Sequence, residues 1–242
     1  MALPSINETL KFTLTIPSTG QKVQYRPYLV KEEKVLLQAF ESKDTTMCLM
    51  AMMDTIKSCL LNQTVDVSRL STFDIEYMFT QLRAKSVGEV STIVIRCKDC
   101  DHANEYSIDL DRLEVTMPDH SKVEDNAPTI QITETIAVEM RYPSYRSLMD
   151  GDVVNSERDM TSAIKLIANS ISAVLEPDSR TDARDCTAQD LIAFVESMTA
   201  SQLKKLTEFL ENIPALKHDA KFKCKECGED NELELKGLSD FF

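Results

Sequence analysis

Residues 92–110 read TIVIRCKDCDHANEYSIDL, and residues 220–238 read AKFKCKECGEDNELELKGL. Each is a short β-like run that enters a Cys-x-x-Cys word and leaves it again. Tyr106, Ile108 and Leu110 alternate on the first exit, Leu233 and Leu235 on the second. The leading cysteines of the two words stand 127 residues apart. Whether the words mark two sites, one site or redox switches decides how the chain is built.

A Cys-x-x-Cys on a tight turn between strands presents two thiolates to one tetrahedral centre, and two such knuckles complete the four-sulfur shell of structural zinc. The reading is therefore one site, with Cys97, Cys100, Cys224 and Cys227 holding a single structural Zn2+ per chain. Gly228, directly after the second word, suits the positive φ of such a turn, and Asp101 visits the same region at a higher cost. Four thiolates around Zn2+ leave a net charge of about −2. Arg96, Lys98, Lys221, Lys223 and Lys225 are expected to offset it. A zinc ribbon usually repeats its Cys-x-x-Cys within about 15–20 residues, so the long separation needs a further argument. The rivals are a thioredoxin-type redox pair, a dimer exchanging knuckles, and two vestigial pairs without metal. The redox reading wants a helix N-terminus at the cysteines, whereas both flanks here look like strands.

An internal repeat bridges that separation. Ser71 opens STFDIEYMFTQL, with Asp74 three residues on and then Ile75, Met78, Phe79 and Leu82. Thr187 opens TAQDLIAFVESM, with Asp190, Leu191, Phe194, Val195 and Met198 at the same offsets. Both read as amphipathic helices begun by a capping-box pair. Upstream of each lies another helical stripe, Leu49, Met53, Ile56 and Leu60 in one half, Met160, Ile164, Ile167 and Ile171 in the other. The order helix, helix, strand, Cys-x-x-Cys, strand thus occurs twice, although any α+β protein supplies capped amphipathic helices. The second half is 11 residues longer between cap and cysteine, and Leu203, Leu206, Leu210 and Ile213 supply an extra helix there. Extended segments precede the helices. FTLTIPSTGQKVQY reads as a hairpin turning at Ser18 to Gly20, and IQITETIAVEMRYP alternates Val138, Met140 and Tyr142.

The expected fold is α+β, two similar halves at 1–116 and 129–242 joined by a linker at 117–128. Each half has a strand or hairpin segment, amphipathic helices and a knuckle hairpin, and a shared four-cysteine, zinc ribbon-like site packs the halves as one unit.

Composition narrows the function. The chain has 43% hydrophobic and 28% charged residues, as a globular protein does, and a formal charge of −13. That charge argues against broad nucleic-acid binding and against adsorption to anionic membranes. The N-terminus lacks the pattern of a secretory signal, so the cysteines are expected in a reducing compartment, as thiols or ligands. Cys48 and Cys59, three helical turns apart, and Cys186 read as packed small hydrophobes. His102 could replace a ligand only if a cysteine were missing, and His120 and His218 read as local polar residues. Met50, Met52 and Met53 read as core. No GxGxxG, Walker A, HExxH or GxSxG motif occurs, and Glu32 and Glu33 fit a helix start better than acid–base work. The chain is expected not to be an enzyme.

The stretch YRPYLVKEEKVLLQAFES from Tyr25, after the F-x-L-x-I-P-S-T-G hairpin, resembles the opening of the T-even-type bacteriophage (myovirus) baseplate hub assembly proteins. Arg26, Pro27, Glu32, Glu33 and Lys34 carry the resemblance, which extends to the terminal GLSDFF. It implies a hub assembly factor (chaperone) or minor hub component of the phage tail. Such a protein binds baseplate hub and other tail proteins, in the host cytoplasm during assembly or in the virion baseplate. The alternative is a zinc-ribbon regulator contacting transcription machinery or nucleic acid. The tail from Leu238 to Phe242 is read either as docking into a partner or as folding back on its own domain.

Overall fold

The computed structural model describes residues 10–62, 65–116, 128–144 and 160–241. Most of the expected linker, including His120, lies outside them. The chain is mixed α+β and forms two compact units. One comprises Met1–Val67, Phe73–Thr116 and Ala215–Phe242, the other Ser68–Thr72 and Met117–Pro214. The end of the second sequence half therefore completes the first unit.

The first unit opens with the expected hairpin. Strands β1 (Phe12–Thr15) and β2 (Lys22–Tyr25) run antiparallel with Leu14 opposite Val23. Leu14, Ile16, Val23 and Tyr25 are buried, as period-two alternation requires of a one-sided strand pair. Helices α1 (Val30–Ser42) and α2 (Thr45–Cys59) follow, hinged on Lys43 in the left-handed region (φ 56) and on Asp44, whose carboxylate caps α2 at the Met47 amide. The buried face of α2 is Ala51, Met52, Thr55, Ile56 and Cys59. The expected stripe of Leu49, Met53, Ile56 and Leu60 is thus rotated by about one residue. Leu60 ends the helix, and Met50, expected in the core, is half exposed.

Helix α3 (Thr72–Ser86) carries Ile75, Met78, Phe79 and Leu82 inward as expected, but Phe73, Asp74, Thr80, Gln81 and Ala84 are buried too. It is a central helix covered on most sides, which weakens its amphipathic pattern. Asp74 accepts bonds from the Ser18 amide (2.9 Å) and hydroxyl (2.6 Å), tying α3 to the turn of the first hairpin. Strands β3 (Val90–Arg96) and β4 (Ala103–Asp109) then form the first knuckle hairpin, and β5 (Val115–Thr116) ends this stretch of the unit.

The second unit is a four-stranded antiparallel sheet in the order β6 (Thr129–Gln131), β7 (Ala137–Met140), β8 (Ile171–Glu176) and β9 (Ser179–Asp182). Helix α4 (Met160–Asn169) precedes β8, and α5 (Ala188–Glu196) and α6 (Ala200–Glu211) follow β9. Val138, Met140, Ile167, Ile171, Val195 and Leu206 share its core. Each such side chain contributes on the order of 1.5–3 kcal/mol by burial. Thr187 and Asp190 form the expected reciprocal cap of α5. Ile171, read as the last residue of a helical stripe, instead begins β8. Ser170 ends α4 by turning its amide back to Leu166 and Ile167, and a β8–β9 hairpin separates two helices that the sequence order placed in succession.

The chain returns to the first unit as β10 (Ala215–Lys223), which pairs with β5 on one side and with β11 (Asp230–Lys236) on the other. Past Gly237, a single 3-10 turn brings Phe241 back into the core with Ile95, Ile108, Leu110, Leu216 and Leu235. Phe241 is fully buried and its carbonyl accepts the Ser91 hydroxyl at 2.8 Å. Of the two readings of the tail, the fold-back holds for Phe241; Phe242 lies outside the described residues.

Candidate metal centre

The two knuckles are built alike. The amide of Cys97 donates to His102 O (2.9 Å) and that of Asp101 to Cys97 O (3.0 Å). In the second, Cys224 N donates to Glu229 O (2.8 Å) and Gly228 N to Cys224 O (3.0 Å). Asp101 (φ 58) and Gly228 (φ 75) occupy the left-handed position that the sequence reading required of both.

The hairpins bring Cys97, Cys100, Cys224 and Cys227 together within the first unit, their sulfurs all within 4.8 Å of one another. Cys97 and Cys227 stand 3.6 Å apart, Cys100 and Cys224 3.7 Å. Zinc–thiolate bonds of about 2.3 Å in a tetrahedron separate the sulfurs by about 3.8 Å, whereas a disulfide needs about 2.05 Å. All seven cysteines are free thiols. The four residues fit a metal ion.

Cys97 and Cys224 are buried, and Cys100 and Cys227 face solvent. The amides of Cys100 and Asp99 aim at the Cys97 sulfur and pull its thiol below the ordinary value. The Cys227 amide does the same for Cys224, down to about 6. For Cys227 the Glu229 amide pulls down, but partial desolvation within the cluster and the surrounding sulfurs outweigh it and push the thiol up to about 12. For Cys100 the His102 amide pulls down in the same way, and partial desolvation and the sulfurs of Cys224 and Cys97 again outweigh it and raise the thiol. The knuckle amides thus favour the charged form at the two buried sulfurs, and a divalent cation would favour it at all four.

The expected cationic offset takes another form. Arg96 pairs with Asp101 (3.1 Å), Lys98 with Glu229 (3.4 Å) and Lys221 with Glu232 (2.5 Å). N–H groups do the work nearest the sulfurs: the knuckle amides and two side chains the sequence reading missed, Asn104 and Asn231. The Asn231 amide nitrogen lies 3.5 Å from Cys97 Sγ, and that of Asn104 lies 3.6 Å from Cys224 Sγ. A signal was present, since each asparagine falls seven residues after the first cysteine of its word, in CKDCDHAN and CKECGEDN.

The remaining candidates stand elsewhere. The side chain of His218 meets the Tyr106 hydroxyl at 3.1 Å, and His102 serves the first knuckle through its carbonyl. Burial pushes the Cys59 thiol up to about 11 and raises Cys48 as well, as packed thiols require. Three of the residues that carried the family resemblance, Arg26, Pro27 and Glu32, form a clamp. Arg26 donates to Pro27 O (2.9 Å), Ser58 O (3.1 Å) and Glu32 Oε1 (2.9 Å), while Glu32 Oε2 accepts the Leu29 amide (2.8 Å) at the start of α1.

With clamp and knuckles both in place, the comparison with known families is direct: the family described as T4 bacteriophage base plate protein matches residues 8–242. The chain belongs to that family. A baseplate protein works in contact with other phage tail proteins. No curated protein and no solved structure matches the chain. Among the described residues, no helix is long and apolar enough to cross a membrane.

Proposed function

We propose that this baseplate protein is a hub assembly factor or minor hub component that acts by binding tail proteins, without catalysis, around a structural Zn2+ held by Cys97, Cys100, Cys224 and Cys227. The observation that carries the reading is the family match across residues 8–242, together with the hub-type opening at Arg26, Pro27 and Glu32. The four sulfurs, all within 4.8 Å of one another, support the zinc, which takes a tetrahedral thiolate shell in structural sites. The formal net charge of −13 supports a partner that is protein rather than nucleic acid.

Its expected place is the host cytoplasm during assembly, with the virion baseplate as destination if it is a hub subunit. Quantitative mass spectrometry of purified virions and of partially assembled tails tests this. A fixed small copy number in virions makes it a hub subunit, and presence only in intermediates makes it a chaperone. Absence from both would refute the proposal and favour the regulator reading. We also read the halves 1–116 and 129–242 as descendants of one duplicated unit, supported by the matched knuckles. Family sequences whose two halves lack the shared cysteine and asparagine offsets would remove that reading.

A further inference from the structure

We infer that Asn104 and Asn231 are positioning residues of the metal centre, each clamping the opposite knuckle and donating to its buried sulfur, so that the four sulfurs are held in register before a metal arrives. This rests on the reading that the four cysteines bind a metal. The bonds are reciprocal. Asn104 on β4 accepts the Lys225 amide at Oδ1 (2.9 Å) and directs Nδ2 at Cys224 Sγ (3.6 Å) and at His102 O of its own turn (2.9 Å). Asn231 on β11 accepts the Lys98 amide at Oδ1 (2.9 Å) and directs Nδ2 at Cys97 Sγ (3.5 Å) and at Glu229 O (3.0 Å).

Both side chains are buried, 2% and 7% exposed, where an amide must find partners for both its ends. A residue serving only its own hairpin would find them there. These two spend one acceptor and one donor each on the other hairpin. The amide orientation follows from the partners, because a backbone N–H requires the oxygen and a thiolate requires the N–H.

The division of labour among the sulfurs agrees. Cys97 and Cys224, each 3% exposed, receive the asparagine donors, while water reaches Cys100 and Cys227. Buried thiolates need protein donors in place of water, which explains two asparagines rather than four. The backbone half of each clamp joins segments more than 120 residues apart in sequence, so loop closure is met in part by hydrogen bonds rather than by the metal alone.

The test uses the full chain with Asn104→Leu, Asn231→Leu, Asn104→Asp and Asn231→Asp. Zn2+ affinity and release are read by competition with a chromogenic chelator, and Co2+ substitution reports the thiolate-to-metal absorption. Hydrogen exchange of the Lys98 and Lys225 amides is followed in metal-free protein. The Leu variants are expected to bind Zn2+ about 10–100-fold more weakly, the range for removal of an outer-shell partner, with faster exchange at the clamped amide. The Asp variants keep the acceptor but lose the donor, so exchange protection stays while affinity falls. If the Leu variants do not fold, the Asp variants carry the test through that split. Wild-type affinity in all folded variants of a metal-binding chain overturns this inference alone. A wild-type chain that takes up neither Zn2+ nor Co2+ overturns the metal reading with it.

Discussion

Phe241→Ala tests the C-terminal anchor. The ring is fully buried among Ile95, Ile108, Leu110, Leu216 and Leu235, on the two knuckle hairpins and the turn after β4. Deleting a buried phenylalanine ring costs about 3–5 kcal/mol, transfer and cavity together. The substitution leaves the main-chain carbonyl that accepts the Ser91 hydroxyl. Truncation after Asp240 removes that carbonyl as well, and Ser91, 5% exposed, then loses this partner, adding about 1–3 kcal/mol. The assay is urea unfolding read by hydrogen exchange of peptides from β3, β4, β10 and β11, because two compact units need not unfold together. With a slope of about 2–3 kcal/mol per molar urea, Phe241→Ala is expected to lower the first unit's midpoint by more than about 1 M, and truncation further. A shift below about 0.3 M in both would refute the reasoning and return the tail to the role of a partner-docking segment.

Cys224→Ser is expected to abolish metal binding and to lower the melting temperature of the first unit. A metal held by all four cysteines would close a loop of 124 residues between Cys100 and Cys224, and a crosslink of that length constrains the unfolded chain by about 4–5 kcal/mol; unchanged metal content by elemental analysis would sink the single-site reading. Glu76 lies under Gly237, where burial pushes its carboxyl from the ordinary 4.5 up to about 7, against the pull of Lys236. A raised carboxyl contributes stability below about pH 4.5 that is lost as pH rises through 7, so Glu76→Gln should gain about 2–3 kcal/mol at pH 8.5 and nothing at pH 4.5; equal denaturant midpoints at pH 8.5 would contradict this. Arg26→Ala removes the closest cation from Glu32, whose side chain is 10% exposed, and leaves it Lys31 at 3.4 Å and the Leu29 amide, at a cost of about 1–3 kcal/mol. Burial pushes that carboxyl up, but the Arg26 bonds and the Leu29 amide outweigh it and hold it below 4.5. The ion pair's contribution is present above pH 4.5 and lost as pH falls, so the melting gap between variant and wild type should narrow in acid, and a constant gap would show that the pair contributes nothing.

What the sequence disclosed, and what it hid, follows from range. The Cys-x-x-Cys words with their β-like flanks are local, and so are the Thr187–Asp190 cap and the alternation of Leu14, Ile16, Val23 and Tyr25; all were legible. Their meeting across more than a hundred residues was legible only because the words occur twice. Hidden were features set by tertiary surroundings. Ile171 fits a helical stripe and a strand start equally well until the Ser170 turn is seen. Asp74 looks like a cap partner, yet it bonds Ser18, 56 residues away. Asn104 and Asn231 are ordinary strand residues until the second hairpin faces the first.

The pairing of β5 with β10 also has a meaning in time. Residues 117–214 are synthesised between two neighbouring strands of the first unit, so that unit has no closing strand until its last segment, 215–242, leaves the ribosome. At about 5–20 residues per second, Cys97 and Cys100 wait roughly 6–25 s for their partners, and a nascent chain stopped anywhere before Cys224 carries half a metal centre and an uncovered core. The complete four-sulfur cluster is therefore a mark of translation past the second knuckle: only a chain synthesised through β11 can bring all four cysteines together.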